Sequence, residues 1–130
     1  MSNRILMADG WEQRIRDKIG VLDSYLPDSA IQQPDVIDVA EANIIEQVPN
    51  YAELESEALT WLEAATVCEC AVLLCIGMAV RLPKSSQGPH AKYEIGVNWG
   101  KKKEELRAER DSLLARVLSL PIHYHFGLSR

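Results

Sequence analysis

Aromatic residues and long charge-free runs are both scarce in this 130-residue sequence. Phe, Trp and Tyr together make up 6% of it, with a single Phe, so Leu, Ile, Val and Ala must build the core. In the most apolar part of the sequence, a charge-free stretch of eleven residues runs from Cys70 to Val80. It is shorter than the ~20 apolar residues of a membrane span, and Glu69 precedes it. We therefore expect no membrane association.

The sequence also shows no cysteine pattern typical of a disulfide framework and no N-terminal pattern typical of a signal peptide. Its three cysteines, Cys68, Cys70 and Cys75, are odd in number and share one apolar stretch, so we expect buried, reduced thiols. The N-terminal residues have no long apolar region of the signal-peptide kind. We expect a protein that is made and kept in the cytoplasm.

No pattern of catalytic residues is present. There is no Gly-rich phosphate loop and no serine in a nucleophile-elbow sequence. His90, His123 and His125, taken with the cysteines, do not have zinc-ligand spacing. Glu69 is the one acid in a buried-looking stretch, and we expect it to face solvent or pair with a basic neighbour. These observations predict a protein that is not an enzyme, with no cofactor and no metal.

Charge divides the chain into two halves. Residues 1–80 contain four Lys and Arg against fourteen Asp and Glu, whereas residues 81–130 contain ten against five. Two solvated surfaces of a monomer would explain this split. Head-to-tail self-association through complementary faces would explain it equally. Nucleic-acid binding by the basic half is a third interpretation, although the chain as a whole is acidic.

Apolar spacing predicts a mainly α fold: a small helical bundle around one long central helix, with a long loop or short β-arm before the last helix and an extended C-terminal tail. The central helix is expected from about 54 to 82, enclosed by protein, and a close helix contact would explain the presence of Gly77 in it. A first helix should begin at an Asp9–Glu12 capping box and end at Gly20. A second helix should span 34–48, starting at Pro34, and the last helix should span 101–118.

Three segments are candidate contact surfaces. The helical domain is expected over residues 1–119, with an arm at 83–100, and a docking tail at 120–130. The arm offers Lys92, Tyr93, Ile95, Val97 and Trp99. The basic face consists of Lys101, Lys102 and Lys103, which suit a helix N-terminus poorly. The apolar side chains of the tail are Leu120, Pro121, Ile122, Tyr124, Phe126 and Leu128, and apolar tails of this kind favour association.

Three parts of the sequence resemble a known family. Asp35–Val48, DVIDVAEANIIEQV, resembles the early helix of head–tail connector proteins of tailed bacteriophages, also called head completion or adaptor proteins. The segment 58–80 resembles their Ala/Leu-rich central helix. The segment 93–97, YEIGV, resembles the extended arm before their last helix.

The resemblance implies a structural virion protein in the neck between head and tail, made in the host cytoplasm. It implies a ring, commonly of twelve copies, that lies beneath the portal protein and extends the DNA channel. DNA would pass through without sequence-specific binding, and a stopper or tail protein would bind the other side. The tail would dock on the portal, and the arm would contact a neighbouring copy. The alternative is a small cytosolic helical adaptor or regulator that binds one protein partner through its tail.

Overall fold

The structure, a computed structural model, describes residues 3–81 and 98–119, with side chains described for residues 3–78 and 98–119. Within these ranges it is helical and contains no strand. The helices are α1 (Trp11–Ile19), α2 (Asp28–Ile31), α3 (Ile37–Gln47), a short 3-10 turn (Tyr51–Glu53), α4 (Ser56–Arg81) and α5 (Trp99–Leu118). The predicted mainly α bundle around one long central helix is confirmed.

Helices α4 and α5 form an antiparallel pair. Near one end of the pair, the Arg116 guanidinium lies 5.8 Å from the centroid of the Trp61 ring. Further along α4, Arg110 contacts Glu69. A later residue of α5 thus contacts an earlier residue of α4, so the two helices run in opposite directions. Leu106, Leu114 and Val117 form the buried stripe of α5, and Leu113, which apolar spacing places in the same stripe, is half-buried.

Helix α1 lies beside this pair and runs parallel to α4. Its residue Arg14 contacts Glu63 at 3.3 Å, and Lys18, one turn later, contacts Glu109 of α5 at 2.6 Å. Ile15 and Ile19 are buried, because a four-residue spacing places them on one helical face. Helix α3 packs against α4, and the buried residues Ile37, Ala40, Ile44 and Val48 have the three- and four-residue spacing of one helical face.

The middle of α4 is enclosed on every side, because residues 65–72 are all buried. The enclosure ends sooner than the apolar sequence predicts. Leu73 and Gly77 are half-buried, and Ile76 is 72% exposed. A Cβ built on Gly77 would meet no atom within 4 Å. Within the described residues, the close helix contact that would explain Gly77 is therefore absent.

Two helix starts differ from their sequence-based predictions. Helix α1 begins at Trp11 with Gly10 as its N-cap, in the left-handed region at φ 89°, and no side chain caps it. Asp9 lies one residue too early to act as the cap, so the expected capping box does not form. Helix α3 begins at Ile37, after a turn in which the Pro34 carbonyl accepts from the Val39 N–H. The left-handed stop at Gly20, also at φ 89°, is confirmed.

Trp99 was expected in the arm, but it is the first residue of α5 and packs partly against the core. Helix α5 thus begins two residues before the predicted start. Asn98 makes this possible, because its side chain caps the helix by accepting from the Lys101 N–H at 2.9 Å. The other arm residues and the whole tail lie outside the described residues, and the division at residue 119 stays a prediction.

Candidate functional site

A groove of about 740 Å³ lies beside the N-terminal segment. It lies between residues 3–7, the start of α1, and the turn that leads into α3. Leu6 and Ile37 are its buried apolar residues. Trp11 is half-buried, and Met7 is 69% exposed at the rim. The volume falls within the ~300–1,000 Å³ typical of ligand sites.

Glu41 of α3 holds one wall of this groove in place. Its carboxylate is buried and accepts three backbone hydrogen bonds, from Arg4 at 2.9 Å, Ile5 at 2.7 Å and Leu6 at 3.0 Å. Arg4 also donates from its guanidinium to the Asp38 carbonyl at 3.3 Å. An irregular segment has no intrahelical partners for its N–H groups, so a buried carboxylate can satisfy several of them at once.

The groove has an acidic character. Glu12 accepts a hydrogen bond from Gln32 at 2.7 Å, which bridges α1 to the end of α2. Asp38 has no partner for its carboxylate in the described part of the chain. Both carboxylates line the groove together with Trp11 and Met7. The arrangement fits a ligand that combines an apolar or aromatic group with a positive charge.

Glu69 pairs with a basic neighbour, one of the two outcomes expected from the sequence. Arg110 donates to Glu69 at 2.6 Å, and Asn43 donates to the other carboxylate oxygen at 2.8 Å. Burial by itself would lower the pKa of Arg110, but the hydrogen bonds to Glu69 and Asp111 outweigh it, so this pKa is raised. The network joins α3, α4 and α5, and its role is structural.

The three cysteines are free and buried, as expected. Burial raises the pKa of the Cys68 thiol to about 12, and the negative charge of Glu109 adds to this rise. Burial also raises the pKa of Cys70 and of Cys75. A thiol becomes nucleophilic only as the thiolate. None of the three is therefore poised for nucleophilic chemistry near neutral pH.

The predicted basic face lies at the start of α5. Lys102 and Lys103 are half-buried and Lys101 is exposed. None of their ammonium groups forms an ion pair within the described ranges. These lysines are not part of the groove, and Trp99 is not part of it either. The remaining predicted residues of the arm and tail lie outside the described residues.

Neither the groove nor the role of Glu41 is predicted in the sequence analysis. Glu41 lies on the same face of α3 as Ile37 and Ile44, at a spacing of four and three residues. That spacing is the one available signal that its carboxylate is buried. Its partners, however, are backbone groups 35 to 37 residues away along the chain. Only the fold brings them together.

Metal and membrane expectations remain predictions. Across residues 3–81 and 98–119 there is no group of three or more His, Cys, Asp or Glu side chains that could hold a metal ion. The segment Ser56–Met78 of α4 is long and apolar enough to cross a membrane, although 61% of its most apolar window is buried. Length therefore does not exclude a span, contrary to the argument from the charge-free run. The core helix of a globular protein passes the same test.

No protein-family model, no curated protein and no solved structure matches this chain.

Proposed function

We propose that this chain is a structural assembly protein of the head–tail connector kind. It would form an oligomeric ring beneath a portal protein, extend the DNA channel and join head to tail. Three segments of the sequence resemble that family, and the family is mostly helical. The helical bundle around α4 agrees with this expectation. The number of copies, twelve in many family members, is part of the proposal.

The observation that carries the proposal is the unequal distribution of unpaired charge between the two ends of the α4–α5 pair. Lys101, Lys102 and Lys103 lie beside the C-terminal part of α4, where the charges of Lys102 and Lys103 act on Cys75. Ile76, the next residue on α4, is 72% exposed. This end thus combines unpaired ammonium groups with an exposed apolar side chain.

The opposite end of α4 is acidic. Glu53, Glu55 and Glu57 are exposed there, and none of their carboxylates has a partner in the described ranges. A 26-residue helix is about 39 Å long, at 1.5 Å per residue. If neighbouring copies packed with an axial offset, the acidic end of one would meet the basic end of the next. Complementary charge of this kind would set the register of a ring.

Some acidic residues of the first half pair with basic residues of the second half within one chain. The Glu69–Arg110 contact joins the acidic half to the basic half internally, so those charges are not available to a neighbour. The proposal therefore places the intermolecular contacts at the two ends of the α4–α5 pair. It does not require the whole of each half.

The test is the mass of the particle in solution, measured by light scattering with the chain alone and mixed with the portal protein of the same genome. We expect a closed ring or a portal complex. Deletion of residues 120–130 should abolish portal binding and leave the domain folded. A monomer that also fails to bind the portal would overturn the proposal.

A charge-swap series tests the register. Changing Lys101, Lys102 and Lys103 together to Glu should weaken assembly, and changing Glu53, Glu55 and Glu57 together to Lys should do the same. Combining both sets should restore assembly, because the two ends are again complementary. If either triple variant assembles like the natural chain at physiological salt, the charge-based register is wrong.

The second candidate is a small helical adaptor that binds one protein partner. In this candidate the C-terminal tail binds the partner, and the groove beside Trp11 favours it because the groove offers a second, concave contact surface. This candidate predicts a small oligomeric state with and without a portal protein. Nucleic-acid binding through the three lysines would instead require an affinity that falls steeply with salt.

A further inference from the structure

The groove beside Trp11 has no occupant assigned by the proposed function. It is bounded on one side by the segment that Glu41 holds and on the other by the start of α1. Buried apolar side chains, a half-exposed indole ring and two carboxylates share this space. We propose that the groove binds residues 120–130 of this chain and holds this tail until a partner protein takes it.

The first argument is chemical complementarity. The tail sequence, LPIHYHFGLSR, contains no acidic residue, and its ionisable side chains are His123, His125 and Arg130. The groove contributes Glu12 and the unpaired Asp38. A basic, acid-free segment is thus matched to an acidic groove, and such a match favours the correct partner over others.

The apolar parts match as well. The tail carries Tyr124 and Phe126, and the groove offers the ring of Trp11 and the exposed thioether of Met7. Aromatic rings pack favourably with one another and with methionine sulfur. Covering Met7 and Trp11 would also remove apolar surface from water.

The second argument is reach. Lys18 of α1 contacts Glu109 of α5. Moving seven residues back along α1 leads to Trp11, and moving seven residues forward along α5 leads to Arg116. Since the two helices are antiparallel, both steps go about 10.5 Å in the same direction. Trp11 and Arg116 thus lie at one level of the bundle.

The tail follows shortly after Arg116 and can therefore reach the groove. Eleven residues span at most about 40 Å when extended. That length allows binding to the groove of the same chain or of an adjacent copy. The occupant is the same segment in both cases, and the experiment separates the two.

The experiment is disulfide trapping in the full-length chain. Ser129→Cys places a thiol in the tail, and Met7→Cys places a second one at the rim of the groove. The natural cysteines are buried and their pKa values are raised, so they should compete little for oxidation. The matched control joins Ser129→Cys with Leu22→Cys, because Leu22 is 67% exposed and Met7 is 69% exposed.

We expect the Met7→Cys pair to form its disulfide at least tenfold faster than the Leu22→Cys pair. A cross-linked monomer on a non-reducing gel would show binding within one chain, and a cross-linked dimer would show binding to a neighbouring copy. Equal rates for the two pairs would overturn the proposal.

A second experiment tests whether the acidic charge of the groove contributes to binding of the tail. Asp38→Lys should slow trapping at Met7→Cys by about fivefold, the effect of losing one partly exposed charge pair. Glu46→Lys makes the same change in net charge at an exposed position eight residues further along α3, about 12 Å from Asp38 and outside the groove, and should leave the rate unchanged. Equal effects of the two variants would also overturn the proposal. A chain that never assembles on a portal can still trap its tail, so failure of the proposed function and failure of this inference are distinguishable.

Discussion

Glu41 is the residue whose replacement should reveal most about how the N-terminal segment is held. Its buried carboxylate accepts from the N–H groups of Arg4, Ile5 and Leu6, at 2.9, 2.7 and 3.0 Å. Glu41→Ala would leave these donors without an acceptor. A hydrogen bond to a charged group contributes about 1.5–3 kcal/mol, and the three are not additive because two share one oxygen. We expect a loss of about 3–5 kcal/mol in the free energy of unfolding.

Glu41→Gln should cost less, about 1–3 kcal/mol. Its one carbonyl oxygen can still accept from Ile5 and Leu6, at the position of Oε2. Its amide nitrogen, however, would face the Arg4 N–H, and two donors cannot bond to each other. The free energy of unfolding should therefore be highest for the natural chain, lower for Glu41→Gln and lowest for Glu41→Ala, because the number of remaining acceptors falls in that order.

Urea unfolding monitored by circular dichroism measures the loss of stability in both variants. Hydrogen exchange reports directly on the amides of Arg4, Ile5 and Leu6. If the segment detaches before the bundle unfolds, amide protection at residues 4–6 is lost first, and the total loss is limited to what this segment contributes. Glu46→Ala is the matched control, because Glu46 lies exposed on the same helix. It should change stability by less than about 0.5 kcal/mol. The reasoning is refuted if Glu41→Ala behaves like Glu46→Ala and its amides stay protected.

Three further predictions follow from single features. Gly77→Ala should stabilise the chain by about 1 kcal/mol, since alanine favours the helix and the added Cβ meets nothing within 4 Å. Gly20→Ala should destabilise the chain by about 1 kcal/mol, because φ is 89° at this position. The urea midpoints of the two variants should therefore shift in opposite directions. Arg110→Ala should cost about 3 kcal/mol, because it leaves Glu69 buried at 6% side-chain exposure without its cation; an unchanged urea midpoint would contradict this. Cys68 should resist thiol reagents at pH 8 in the folded chain and react with them in urea; labelling of the folded chain would contradict this. Because the pKa of Cys68 is raised in the folded chain, the free energy of unfolding should fall as the pH rises from 9.0 towards about 12, and a flat profile would contradict this.

Much of the helical architecture is readable from the sequence. The buried stripes of α1, α3 and α5 follow the three- and four-residue spacing of apolar side chains. Gly20 marks the end of α1, because its left-handed conformation is strained for other residues. The starts of α1 and α3 were harder to predict, since the choice of N-cap among Asp9, Gly10 and the turn after Pro34 depends on what the preceding chain contacts.

The groove could not be predicted from the sequence for the same reason. Its walls come from the N-terminal segment, α1 and the start of α3, and their meeting depends on Glu41 satisfying three backbone donors far away in sequence. Nothing in residues 3–7 has helical or strand periodicity that would predict burial of Ile5 and Leu6. Long-range polar contacts of this kind leave no periodic trace.

By itself, then, the sequence determined where the four longer helices lie, which side of α1, α3 and α5 faces the core, and that the cysteines are buried. These properties depend on local spacing and on the transfer of apolar side chains from water. The tertiary structure alone decided that Glu69 meets Arg110, that Glu41 captures the N-terminal segment, and that Ile76 stays exposed while its neighbours on α4 are covered. These outcomes depend on which surfaces become adjacent once the helices pack, and adjacency across 35 or more residues is a property of the whole fold.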